Sequence, residues 1–556
     1  MMGDPHQTVS FNLVDRAWIK VELLDGTTAQ LSIRELFQRV TEIRRVLGDS
    51  PAQDLAVLRI LLVIYWRANR DDDLLTSLRG TDKNRWWREA YTLETLESFG
   101  QVIDEYLDKW HGRFDLFDAQ RPFMQVHDLR TPKDEYSAGI RKLVPDAESD
   151  YFTMRAGEEL TSVHASEAAR WLLFLQAWNY SGIKSGAVGD PRVKGGKGYP
   201  IGTGWSGASG AVVIHGPNLA KTFLLNTVPT MVFGDSMAQD VPVWERDDPD
   251  TAKTHGRDIP RGPCELLTWQ IRRVRLFHQG EDVVGFLIAN GDRIELRNQF
   301  NDPMTGYRYS KQQSTKRSVV RFPKTHNASR TLWRGIEALL TRTGAIEDLD
   351  NTADLQPETI RWLRDPENGL QEDAQASVGI ELVGVEYGPQ SSSYKQTIHE
   401  ELPMKLATLA ARDATSSEML ITAAQRTMDV ATSLGQFAGN LLEAAGGEYA
   451  FNAEATERFL TELNEPFKKW VENFSLDVDP AEYRQQWLDL VRKLVYPEAQ
   501  VLVRGAGEKA LLGWHDENGL LKSAVTAWDQ FSRRINTLTQ TQNKTAENEV
   551  QKVGAK

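Results

Sequence analysis

The C-terminal part of this chain is written in a single period. Met419, Ala423, Val430, Leu434, Phe437 and Leu441 recur at helical spacing, as do Phe459, Leu463, Phe467, Trp470 and Phe474. A third stripe runs through Tyr483, Trp487, Leu490 and Leu494, and a fourth through Ala524, Trp528, Phe531, Ile535 and Leu538. Apolar residues three and four apart line one side of an α-helix, and that side has to be buried. Four such stripes with short connections predict an antiparallel four-helix bundle over 401–540. Pro466 should kink the second helix, and 541–556 reads as a polar, frayed tail.

Residues 1–400 have a different texture. The chain as a whole reads as α+β, a large mixed α/β N-terminal domain followed by an all-α C-terminal four-helix bundle. Residues 11–24 alternate loosely and end in Asp25-Gly26, a hairpin-turn signal. Ser32 with Glu35 three residues on is a capping box opening a helix. Residues 53–70 form a helix apolar over too wide an arc to be buried on one side only. Further helices are expected over 92–110, 166–180 and 329–343, strands over 269–277 and 283–296, and a packed irregular segment over 114–126. The stretch 182–210 holds ten glycines, and no helix is expected there.

The charge balance narrows the function. With 65 Lys and Arg against 78 Asp and Glu, the net charge of −13 argues against a protein that coats nucleic acid indiscriminately. It leaves room for a local basic patch, because phosphate attraction acts over about a Debye length, ~8–10 Å. A single cysteine, Cys264, excludes a disulfide framework and a multi-cysteine metal site. The N-terminus has no secretory pattern, and the longest apolar run, 60–66, is far short of the ~20 residues a bilayer span needs. A cytoplasmic protein with no membrane partner is expected.

Motifs that carry catalysis are mostly missing. The ten histidines are scattered and form no zinc-protease motif. Gly202, Gly204 and Gly207 spell a dinucleotide fingerprint with no helix signal after it, and Gly196-Lys197 is followed by Gly198 rather than the hydroxyl of a phosphate loop. The acidic run 348–351 departs from a calcium loop at Ala353 and Thr359 and reads as solvated. Cys264 has no histidine nearby and reads as a half-buried thiol. No metal or cofactor is expected. Sixteen tryptophans would suit the cleft of a carbohydrate-active acid/base enzyme, the alternative reading, although most lie at core spacing.

Three features point elsewhere. Val193-Lys194-Gly195-Gly196-Lys197-Gly198-Tyr199 offers a backbone without Cβ atoms, able to approach a groove closely, beside two lysines. Residues 303–335 carry Arg308, Lys311, Lys316, Arg317, Arg321, Lys324, Arg330 and Arg334 and no acid until after Gly335, with Tyr307, Tyr309 and Phe322 interleaved. Tyr387-Gly388-Pro389-Gln390-Ser391-Ser392-Ser393 is a tight turn that presents an amide and hydroxyls to base edges.

Taken in order, these residues resemble a known family. FNLVDRAWIKV at 11–21, GDSPAQDLAVLRILL at 48–62, RPFMQV at 121–126, the glycine loop, Gly216-Pro217-Asn218-Leu219 and Leu224-Leu225-Asn226 are similar to the CasA family. CasA is the large subunit of Cascade, the type I-E CRISPR antiviral surveillance complex. The resemblance implies a subunit without catalytic activity. Its partners would be the 5′ handle of the guide RNA (crRNA), other Cascade subunits, double-stranded target DNA and the helicase–nuclease that degrades the target. Its role would be to read the protospacer-adjacent motif (PAM) from the minor groove and to promote duplex opening and R-loop formation.

Carried over residue by residue, the family's glycine loop falls on Gly195, Gly196 and Gly198, flanked by Lys194 and Lys197. Its glutamine wedge falls on Gln390, with Ser391 also eligible. The family's lysine finger has no lysine to match between Asp292 and Phe300; Arg293 and Arg297 lie there, and Lys311 or Lys316 could serve instead. The loop that meets the guide handle corresponds to 152–164, with Phe152 as the stacking residue. The cysteine cluster that follows Trp269-Gln270 in some members is missing, so no zinc is implied.

Overall fold

Gly26, at φ +83°, turns β1 (Ile19–Leu23) back onto β2 (Thr28–Leu31), and Ser32 caps α1 (Ile33–Gln38) with Glu35 closing the capping box. β3 (Ile43–Val46) completes a three-stranded antiparallel sheet in the order β2-β1-β3. The computed structural model describes residues 9–70, 83–92, 99–132, 139–145, 160–234, 239–246, 257–327, 332–340, 352–365, 370, 376–410 and 414–540. These fall into two units. The first lies within Met1–Ser329, Arg342–Glu372 and Val378–Glu401; the second lies within Arg330–Thr341, Asp373–Ser377 and Leu402–Lys556.

The first unit is mixed α/β and is built around α2 (Pro51–Asn69), of whose nineteen residues sixteen are buried, so it packs on every side. Ahead of the irregular 114–126 segment lie α3 (Lys83–Thr92) and α4 (Gln101–Trp110), where a single helix over 92–110 is expected. The residues between them, 93–98, lie outside those described. α2 packs against α4 and against α5 (Ala165–Trp178), which follows the short strand β4 (Val163–His164). Inside α2, Arg59 makes a buried ion pair with Asp302 at 2.7 Å and donates to Ser206, within the glycine-rich stretch, at 2.5 Å.

That stretch contains β5 (Lys184–Ser185), β6 (Lys197–Gly198) and, contrary to expectation, the one-turn helix α6 (Trp205–Ser209). Gly207 sits there because a Cβ would lie 2.0 Å from the Tyr387 hydroxyl, so this glycine serves helix packing and not a dinucleotide. β7 (Ala211–His215) and α7 (Leu219–Leu225) follow. β8 (Arg272–Gln279) and β9 (Asp282–Asn290) form a long hairpin, both shorter than the strands expected from the sequence. With β4, β5 and β6 they make a five-stranded sheet in which β5 runs parallel to β9. β10 (Tyr307–Tyr309) pairs with β11 (Arg321–Pro323), and β12 (Ser377–Tyr387) lies between β7 and β13 (Tyr394–Lys405). Cys264 is fully buried, and burial pushes its thiol well up.

The second unit carries α8 (Ala414–Ala444), α9 (Ala453–Glu462), α10 (Asn464–Glu472), α11 (Pro480–Gly505) and α12 (Ala524–Thr539), with α9, α11 and α12 all packed on α8. The expected kink is a full break: α9 ends at Leu463 and Pro466 falls in the first turn of α10, where its missing N–H is not needed. The third stripe is out of phase with the structure. Leu490 and Leu494 are 38% and 37% exposed, and the buried face of α11 is Trp487, Leu488, Val491, Val495 and Ala499. Both sides of α11 carry leucines, and only packing selects between them. Between α11 and α12 lie a short helix, Gly507–Leu512, and a hairpin of β14 (Trp514–His515) with β15 (Leu521–Lys522), neither foreseen.

One polar cluster in the first unit makes stability depend on pH. Glu381 on β12 accepts from His215 Nε2 at 2.7 Å and pairs with His399 Nε2 at 2.8 Å. Burial pushes its carboxyl up, but the two histidines outweigh that and hold it at about 2. Asp54, in the first turn of α2, goes the other way. Burial raises it to about 7 although it accepts the Gly48 N–H. A carboxyl raised in the folded state binds a proton that the unfolded chain has released, so its stabilising effect is lost as pH rises from its ordinary value to about 7. Asp54→Asn should therefore raise stability at pH 8 by on the order of 2–4 kcal/mol and leave it nearly unchanged near pH 4, as read by urea melts at the two pH values.

Candidate nucleic-acid interface

Lys194 and Lys197 close a two-residue hairpin: each N–H donates to the other's carbonyl at 3.1 Å. The two residues at its tip, Gly195 and Gly196, have φ of +59° and +72°, the pairing a primed hairpin turn demands and glycine supplies without strain. A Cβ on Gly195 would meet nothing within 4 Å. Lys194, Gly195, Gly196 and Lys197 are all exposed, and neither lysine has an ion pair among the described residues. Gly198 differs from its neighbours. It is buried on β6, and a Cβ there would lie 3.0 Å from the Asn290 amide, so it belongs to the sheet rather than to the bare tip.

The hairpin is braced from both sides. Arg192 pairs with Asp190 at 2.8 Å and donates to the Gly291 carbonyl at 2.7 Å. Asn290 donates to the Tyr199 carbonyl at 2.6 Å. Below them lies Arg272, fully buried. Its guanidinium donates to Asn179 Oδ1 at 2.7 Å and to the carbonyls of Tyr180 and Gly202 at 2.8 Å each. Burial pushes it down to about 10, so it stays charged at neutral pH. Tyr180 in turn carries the Lys184 ammonium 3.8 Å above its ring, and Lys184 is the β5 residue opposite Gly198.

The same tyrosine reaches the second predicted element. Tyr180 meets Tyr394 edge-on at 5.2 Å, Tyr394 packs on Tyr387 at 5.9 Å, and the Tyr387 hydroxyl donates to the Trp178 carbonyl at 2.6 Å. Tyr387 and Tyr394 end β12 and begin β13, so this cluster anchors the turn between them. At its tip Gln390 and Ser391 have φ of +56° and +54°. Two successive non-glycine residues in the left-handed region are uncommon and cost about 1–2 kcal/mol each. Gln390 is exposed and Ser391 half-buried.

The predicted cations separate into groups. Arg293 is exposed, 3.8 Å from Glu295, and lines an open groove of about 500 Å³ with Pro200, Thr203 and Phe322. Arg297 is exposed next to Asn298, whose Oδ1 takes the Arg321 N–H at 2.7 Å and ties this segment to β11. Lys316 and Arg317 form the tip of a second tight turn, in which Thr315 and Ser318 exchange backbone bonds of 2.9 and 3.2 Å. Lys311, Lys316 and Arg317 are exposed and without ion pairs among the described residues. The rest of the basic segment is occupied: Arg321 is buried, Lys324 pairs with Asp354 at 3.0 Å, and Arg334, in the second unit, pairs with Glu457 at 2.6 Å. Arg330, Phe152 and the acidic run 348–351 lie outside the described residues.

Thus the glycine hairpin, Arg293 and the turn at Gln390 are linked through Arg272, Tyr180 and Gly202. Sequence reasoning missed Arg272, Tyr180 and Asn290. The available signal was the pair Arg272-Arg273 inside a run expected to be a strand: two successive strand residues point to opposite faces, so a cation on the buried face demands partners. Twelve of the sixteen tryptophans are buried, which leaves little from which to line a sugar cleft. Among the described residues no group of three metal-ligating side chains is assembled, and no helix is long and apolar enough to cross a membrane.

Residues 12–496 match the sequence model of the family described as CRISPR-associated protein Cse1. A curated relative from Thermus thermophilus, CRISPR-associated protein CasA/Cse1, is 30% identical over 359 residues, covering 63% of this chain and 64% of that relative's length. The crystal structure of Thermobifida fusca Cse1 is similar with a TM-score of 0.82 at 33% identity, covering 95% of this chain and 98% of that one. A chain from a structure described as a CRISPR RNA-guided surveillance complex shares the fold, with a TM-score of 0.62 at 19% identity and coverage of 90% and 99%. A match that runs from residue 12 to residue 496 places the chain by sequence as well as by fold: it belongs to the CasA/Cse1 family of CRISPR-associated proteins.

Proposed function

We propose that this chain is the non-catalytic DNA-recognition subunit of a type I-E Cascade complex in the cytoplasm. It reads the PAM in duplex DNA from the minor groove, promotes duplex opening and R-loop formation, and recruits the helicase–nuclease that degrades the target. The observation that carries the reading is the glycine tip, exposed and free of side chains between two lysines without ion pairs among the described residues, on a chain of net charge −13. A minor groove about 6 Å wide admits backbone and thin cationic side chains more readily than a helix. Exposed lysines beside it replace phosphate counterions and give affinity. Lys194, Gly195, Gly196 and Lys197 make this contact, with Gly198 holding the hairpin to its sheet. Arg293 and Arg297, or Lys311 and Lys316, supply the family's cationic finger.

The strained turn supplies the second step. Gln390, with Ser391 behind it, is held out from an aromatic base and enters the edge of a base step. Unstacking there costs a few kcal/mol, offset by guide pairing. Phe152 stacks at the guide RNA 5′ handle, and other Cascade subunits complete the site. The second unit serves as a four-helix bundle in which α9 and α10 count as one broken helix.

Three experiments on the assembled complex test this. Lys194→Gln with Lys197→Gln should lower the salt slope of duplex binding by about 1.8, the sum of ~0.9 per phosphate contact. Gly195→Asp should remove PAM-dependent binding without unfolding the chain, since aspartate tolerates this φ and the space is open. Equal binding of PAM and non-PAM duplexes before and after the change overturns the reading. At the turn, Gln390→Gly should relieve strain and stabilise the fold by about 1 kcal/mol, yet slow strand opening more than initial duplex binding. Equal loss in both steps removes the wedge.

A further inference from the structure

Duplex opening leaves an unpaired strand, and the groove beside Arg293 has the chemistry to hold one of its bases. Its volume of about 500 Å³ falls within the ~300–1,000 Å³ typical of small-ligand sites. One wall is Phe322 on β11, half-buried, with the Arg308 guanidinium 5.3 Å from its ring centroid. Pro200 to Thr203, the segment that leaves the glycine hairpin, also line the groove, held by the bond from Arg272 to the Gly202 carbonyl at 2.8 Å. Leu296, also in the lining, packs against the buried cluster of Trp205, Leu266, Trp269 and Ile294. The carboxylate present, Glu295, is engaged by the Arg297 N–H at 2.9 Å and faces Arg293 at 3.8 Å.

A phenylalanine ring with a guanidinium over it, apolar lining residues and an exposed arginine among them form a combination that holds single-stranded nucleic acid: rings stack on rings and guanidinium groups meet phosphate. We infer that this groove binds one unpaired nucleobase of the displaced DNA strand, stacked on Phe322, with its phosphate at Arg293. The charge complementarity selects a nucleotide over a neutral aromatic ligand. The inference rests on the reading of this chain as a DNA-opening subunit and adds a destination for the strand that is opened.

The test is a cycle between protein and DNA in the assembled complex. Abasic nucleotides are introduced one at a time along the displaced strand near the PAM, and the affinity of the opened complex is measured for the parent, Phe322→Ala and Phe322→Trp. At one position Phe322→Ala should cost about tenfold with an intact base and nothing with the abasic one, and Phe322→Trp should restore the intact value. A purely structural role for Phe322 would lower both equally, and a loss independent of the abasic position overturns the inference, as does no loss at all. Initial binding of unopened duplex, measured in the same variants, separates the two readings. If duplex binding requires Lys194 and Lys197 but no abasic position couples to Phe322, the groove assignment alone fails. If Lys194→Gln with Lys197→Gln leaves duplex binding intact, the underlying reading fails.

Discussion

A buried guanidinium surrounded by neutral oxygens holds the proposed interface together. Among the described residues Arg272 has no carboxylate partner; it donates to Asn179, to the carbonyls of Tyr180 and Gly202, and to the Ile271 carbonyl at 3.0 Å. A desolvated charge has to be met by hydrogen bonds, and here the acceptors come from the end of α5 and from the segment that follows the glycine hairpin. Satisfying one cation therefore fixes several loops relative to one another. The tyrosine whose carbonyl it takes also carries Lys184 and touches Tyr394, so the same anchor extends to the turn at Gln390.

The two tips solve the backbone problem in opposite ways. At 195 and 196 the left-handed conformation is met by glycines, so the tip is both bare and unstrained. At 390 and 391 the same region of φ is occupied by residues with side chains, and the strain is retained. Glycine would relax the second turn and would remove the amide that could enter a base step. A bare tip suits close approach, and a strained one suits insertion.

How much of this was legible follows from the range of the forces involved. The Asp25-Gly26 turn, the Ser32–Glu35 capping box and the helix at 51–69 are encoded by neighbours within a few residues, and all three stand in the structure. The third apolar stripe went astray because α11 has leucines on both sides and only contact with α8 decides which face is buried. α6 went unseen because ten glycines mask a one-turn helix that a hydrogen bond from Arg59 to Ser206 and the close approach of Tyr387 hold in place. At the site, the glycine motif marked the hairpin, but the burial of Gly198 depends on a strand 92 residues later, Asn290 being its neighbour. Arg272 could be noticed as a charge in an expected strand, yet apart from the adjacent Ile271 carbonyl the acceptors of its guanidinium lie 70 to 93 residues away.

The second unit recruits the described residues 332–340 from before its own helices, and among them is Trp333, stacked on Phe467 at 4.7 Å and bonded to Asn464 at 2.8 Å. A fragment beginning near residue 402 would thus be missing a plug from its own core, with the Phe467 ring and the Asn464 Oδ1 laid open to water. Exchange of this module between relatives by a simple cut and join is correspondingly disfavoured. Homologous recombination within the family would have to transfer the discontinuous piece together with the helices, or leave a hole behind.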